Sequence, residues 1–194
     1  MRCLLTATPF ALLPMTLTAL AHDHSHEEHG SLDAHVHGVA ELNVALDGST
    51  LELQLKTPAM NFVGFEHEAE SEADKAKVAS AKNELSKPVA LFGISQGQCT
   101  LASQELESPL FEEAHAHEHE HEHEHSDHEG HSHAHNDIQA HYQLNCQQPD
   151  NLKQLDLTEL FKRFPATEKI NVQLIGPNGQ KGQEVTASNP TLSF

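Results

Sequence analysis

Basic side chains are scarce in this sequence: 11 lysines and arginines stand against 29 acidic residues, for a formal net charge of −18. A chain this acidic repels phosphate backbones, which excludes nucleic acid as an expected partner, while the same field concentrates cations. Long charge-free apolar runs are confined to the N-terminus, so no stable membrane insertion is expected from the remainder. Cysteine is also rare, with three residues in 194. No catalytic motif is recognisable, and no acid–base constellation suggests a shaped pocket. An enzyme using a three-histidine zinc site to activate water is therefore disfavoured, and a binding protein is expected.

Histidine is what the chain has in excess, at 18 of 194 residues. The leader comes first, because it must be set aside before fold reasoning. Arg2 gives a positive start, Leu4 to Leu20 is apolar or small, and Ala19-Leu20-Ala21 is the small-x-small pattern of a cleavage site. Residues 1–21 are read as a signal peptide cleaved after Ala21, the alternative being a retained N-terminal anchor. Export out of the cytoplasm is the expectation. Cys99 and Cys146 then remain, and in an oxidising compartment two cysteines most simply form one disulfide. A thiolate metal pair is the alternative.

Histidine falls in three groups. The arm over 22–33 carries His22, His24, His26 and His29. If cleavage follows Ala21, the free amine of His22, two backbone nitrogens and the imidazole of His24 make a square-planar set suited to Cu²⁺ or Ni²⁺. The insert over 112–136 carries His115, His117, His119, His121, His123 and His125 at alternate positions, largely interleaved with glutamate, then His128, His131, His133 and His135. Imidazole suits Zn²⁺, Cu²⁺ and Ni²⁺, nearby carboxylates add oxygen donors and charge, and either an extended or a helical tract offers several overlapping ligand sets. Such low-complexity sequence is read as disordered, the alternative being a solvated linker whose histidines have no role. The third group lies on folded elements: His35 and His37 at a strand start, with Glu66 and His67 before a helix. If strand start and helix start meet at one sheet end, three histidines and a carboxylate form a tetrahedral zinc set. Ordinary half-buried roles for His37 and His67 are the competing reading. His141, inside a later strand, either anchors metal or faces solvent.

Alternation of apolar residues predicts the folded parts. Val36, Leu42, Val44 and Leu46, then Leu51, Leu53 and Leu55, read as two strands joined at Asp47-Gly48. Met60, Phe62, Val63 and Phe65 form an apolar knot. Ser71 with Asp74 resembles a capping box for a helix running to about Ser86, which would bury Val78, Ala81 and Leu85. Val89 to Ile94 is expected as a short strand or turn, and strands near 98–104 and 138–146 bracket the insert. Leu157 to Phe164 reads as a helix, followed by a strand at Ile170 to Leu174, a turn at Pro177-Asn178-Gly179 and a closing strand or two. The fold class is α+β: antiparallel sheets with one packed helix each, in two similar sheet-and-helix halves over 34–111 and 137–194.

The runs His35-Val36-His37-Gly38-Val39-Ala40-Glu41-Leu42-Asn43-Val44 and Asn61-Phe62-Val63-Gly64-Phe65-Glu66-His67 are distinctive together. With the histidine–glutamate insert and Ile175-Gly176-Pro177-Asn178-Gly179, the chain resembles the ZrgA-type zinc-regulated periplasmic proteins. The resemblance implies a zinc-binding protein made under zinc limitation and associated with an ABC-type zinc importer or its binding protein. It implies His35, His37, Glu66, His67 and the insert histidines as candidate ligands. The expected function is zinc capture by a monomer that supports acquisition. The alternative is a protein that sequesters excess copper, nickel or zinc.

Overall fold

A computed structural model describes residues 36–112 and 136–194. The leader, the arm with His22, His24, His26 and His29, His35, and the insert histidines from His115 to His135 lie outside the described residues.

Strict alternation builds the sheet. In β1 (Val39–Asp47), Ala40, Leu42, Val44 and Leu46 are buried, while Glu41, Asn43 and Ala45 point the other way. In β2 (Thr50–Pro58) the buried set is Leu51, Leu53, Leu55 and Thr57. The two pair antiparallel, with Asp47 opposite Thr50. That register makes Gly48 and Ser49 the central turn residues, one position beyond the expected Asp47-Gly48. Gly48 takes φ 56°, a backbone glycine adopts without steric cost.

Pro58 ends β2, and the expected apolar knot is a short helix, α1 (Ala59–Val63), closed by Gly64 in the left-handed region. Helix α2 (Glu72–Leu85) begins at the expected cap: the Ser71 side chain accepts from the Asp74 N–H at 3.1 Å. Its buried residues are the expected Val78, Ala81 and Leu85. The segment read as a short strand or turn is instead a third helix, α3 (Pro88–Leu91). Proline suits a first helical position, and Gly93 at φ +62° then turns the chain where an added Cβ would lie 2.6 Å from the Asp156 carbonyl oxygen.

Strand β3 (Cys99–Glu107) forms one edge of the sheet, with mostly exposed side chains and a bulge between Leu101 and Ser103. Strand β4 (Asp137–Cys146) buries Ile138, Ala140, Tyr142, Leu144 and Cys146. The Tyr142 hydroxyl donates to the Leu85 carbonyl at 2.9 Å, which ties the end of α2 to the sheet, and burial raises its pKa. A short β5 (Gln154–Asp156) leads to α4 (Thr158–Arg163), then β6 (Lys169–Gly176), β7 (Gly179–Thr186) and β8 (Thr191–Ser193).

The class is α+β. The main sheet has six strands in the order β3-β4-β2-β1-β6-β7, and β5 pairs with β8 in a small second sheet. The two expected halves share this one sheet, because β1 pairs in parallel with β6, Val39 lying opposite Lys169. Residues Ala34–Phe194 accordingly group as one compact unit. Buried residues of the helices join the inward residues of the strands in one hydrophobic cluster, which leaves the other sheet face polar.

The expected disulfide is present between Cys99 and Cys146, the first residue of β3 and the last of β4. It closes the β3–β4 pair at the end remote from the insert, which departs after Glu112 and returns at Asn136.

Candidate metal centre

The site is built at the sheet end where β1 begins and β2 ends. Gly38 precedes β1 with φ +82°, and an added Cβ there would lie 3.0 Å from the Glu168 side chain. Its carbonyl accepts from the N–H groups of Glu168 (2.7 Å) and Lys169 (3.0 Å), which anchors the turn to the start of β6. From the other side comes Asn61 of α1, 2% exposed. Its Oδ1 accepts from the Gly38 N–H at 2.7 Å, and its Nδ2 donates to the Val39 carbonyl and the Thr57 hydroxyl, each at 3.0 Å. His37 is thereby held next to a fixed turn.

Glu66 arrives after Gly64 has reversed the chain and Phe65 has buried its ring. His37 Nε2 and Glu66 Oε1 lie 3.0 Å apart, across 29 positions of sequence. The imidazole is about half exposed and the carboxylate 19% exposed. Asn136 fixes the Glu66 backbone: its side-chain amide donates to the Glu66 carbonyl at 2.7 Å, while its own carbonyl accepts from the Ala59 N–H at 2.8 Å.

A histidine–carboxylate pair at this distance serves metal in two ways. An ionised carboxylate only accepts, so in the neutral imidazole Nε2 carries the shared proton and Nδ1 keeps a lone pair, as in carboxylate–histidine–zinc arrangements. Alternatively the metal takes the place of the proton. Two ligands about 2.1 Å from tetrahedral zinc stand about 3.4 Å apart, so the pair needs to open by only a few tenths of an ångström.

His67 is oriented separately. Its Nδ1 donates to the Glu68 carbonyl at 2.7 Å, and its ring stacks on Phe65 with centroids 4.6 Å apart. A carbonyl can only accept, so Nε2 of the neutral ring is the free ligand atom. Among the described residues, no group of three or more His, Cys, Asp or Glu side chains is placed to hold a metal ion. Of the expected set, the structure brings together His37 and Glu66, places His67 beside them in sequence with its own contacts, and leaves His35 outside the described residues. His141 lies on the polar face of β4, opposite Gln54 and Glu105, in an open groove of about 350 Å³ that Glu41 and Lys56 also line.

Sequence reasoning missed Asn61 and Asn136, the two buried amides that hold the pair. An asparagine inside an otherwise apolar run was the available signal for Asn61. Asn136 borders the low-complexity tract and had none.

A family model described as ZrgA family zinc uptake protein matches residues 34–194. The chain belongs to that family. The match spans the whole compact unit and both parts of the candidate centre, so zinc uptake is the process in which this ZrgA family protein takes part. Among curated proteins, none matches the chain. Among the described residues, no helix is long and apolar enough to cross a membrane.

Proposed function

We propose that this ZrgA family member is a periplasmic protein that binds Zn²⁺ as cargo and supports its uptake through an ABC-type zinc importer or that importer's binding protein, acting as a monomer and without catalysis. One observation carries the reading. The chain's three histidine-bearing segments join the fold at the same sheet end. The arm leads through Val36 and His37 into β1, the insert departs beyond β3 and returns into β4, and Glu66 and His67 follow α1. Zinc collected by the redundant, carboxylate-interleaved histidines is thereby delivered beside the better-oriented His37–Glu66 pair. The acidic charge of the chain attracts the cation, and the Cys99–Cys146 disulfide fits an oxidising compartment.

Sequestration of excess copper or nickel is the competing function, favoured by the expected His22–His24 amine motif. Competition titration against chelators of graded strength separates the two. Zinc held against weak chelators at neutral pH is expected. Retention of copper with ready loss of zinc would sink the uptake reading.

A further inference from the structure

The candidate pair is held by more than its own contact. His37 stands one residue before Gly38, whose N–H is held by Asn61 at 2.7 Å. Glu66 has its carbonyl held by Asn136, also at 2.7 Å. Both amides are nearly sealed from solvent, Asn61 at 2% and Asn136 at 7% exposure. Burying an amide is tolerated only when its hydrogen bonds are satisfied. Asn61 spends its side chain on both backbone flanks of the His37 turn and on Thr57. Asn136 bridges α1, through the Ala59 N–H, and the chain beyond it, through the Glu66 carbonyl.

We propose that Asn61 and Asn136 are positioning residues for zinc: one fixes the backbone of His37, the other that of Glu66, so the pair meets the ion preorganised. This rests on the reading of His37 and Glu66 as zinc ligands. Asn136 directly precedes β4, so one residue joins the entry to that strand, through its backbone carbonyl on Ala59, to the placement of Glu66, through its side chain. Partners of this outer kind commonly govern metal affinity by about 10- to 100-fold.

The test is a zinc titration of the full chain followed at the Gly38 and Glu66 amide resonances, which report this site apart from the insert. Asn136→Ala keeps the backbone bond to Ala59 and removes only the side-chain donation. It is expected to weaken zinc binding read at these resonances by about 10-fold. In a Glu66→Gln background the same substitution is expected to add little, because its action runs through Glu66. A purely structural role would instead lower thermal stability in both backgrounds and leave the site's affinity intact, and that result overturns the proposal. Asn61→Asp keeps the acceptor for Gly38 and removes both donations, and it should weaken binding in parallel. If it fails to fold, Asn136→Ala still decides. If His37→Ala and Glu66→Gln both leave the titration unchanged, the pair is not a zinc site and the underlying reading fails. If these weaken binding while Asn136→Ala does not, only the positioning role is lost.

Discussion

Replacing both Cys99 and Cys146 by serine removes a cross-link whose effect can be worked out from topology. The bridge spans 47 positions, and the chain-entropy relation assigns a loop of that size about 4 kcal/mol of stabilisation, through restriction of the unfolded chain. Both cysteines are buried, at 6% and 2% exposure, so two hydroxyls placed there add a desolvation cost of about 1 kcal/mol or more. Urea unfolding by far-UV circular dichroism suits a chain without tryptophan. Chelator should be present so that bound metal does not contribute. With a slope of about 2 kcal/mol per molar, the midpoint should fall by about 2.5 M. The insert lies inside the covalent loop, so deleting residues 113–135 roughly halves it and should reduce the disulfide's contribution by about 0.6 kcal/mol. The deleted chain should still fold, since the hairpin is pinned at its far end. A serine variant whose midpoint moves by less than about 0.5 M would refute the loop argument. A deletion that enlarges the disulfide's effect would refute it equally.

Other outcomes follow from single contacts. Tyr142→Phe removes the donor to the last carbonyl of α2 and should cost about 1–3 kcal/mol by chemical denaturation, with unchanged secondary structure. Asp156 accepts from the Thr158 hydroxyl (2.6 Å) and N–H (3.0 Å), and these bonds lower its pKa, the hydroxyl most. A depressed carboxylate stabilises the fold above its unfolded pKa, and that stability is lost as pH falls through the folded value. Asp156→Asn should therefore flatten the acid limb of the stability–pH curve, and a parallel limb would contradict the assignment. Zinc affinity should drop between about pH 7.5 and about pH 5.5, because a histidine ligand must shed its proton, and calorimetry giving equal affinity at both would exclude histidine ligation.

Much of this was legible in the sequence where one physical rule acts alone. Period-two apolarity located β1, β2, β4 and β6, because one face of each is buried and the other is not. Ser71 and Asp74 placed the start of α2 through orphan N–H groups that need acceptors. Alternation tells which face a strand presents but not which strand lies beside it, and so two halves were expected where β1 and β6 join one sheet. The short helices α1 and α3 have too few residues for a helical period to show against an apolar background, and tertiary packing decides them. In the candidate site, His37 and Glu66 were expected together if strand start and helix start met at one sheet end, and the structure sets the two side chains 3.0 Å apart. The burial of Asn61 and Asn136 did not, since an amide carries no mark of whether its partners are protein or water.

The parallel pairing of β1 with β6 sets a schedule for the polypeptide. When Val39–Asp47 has formed its hairpin with Thr50–Pro58, its other edge offers unpaired backbone groups to any strand nearby. That edge stays open until Lys169–Gly176 has been made, almost at the end of the chain. Pairings of such long separation form slowly, so the chain remains unable to complete its sheet throughout synthesis. Under the export proposed above, this delay would leave the chain threadable until its last strand has followed, because a sheet that cannot close early does not block passage.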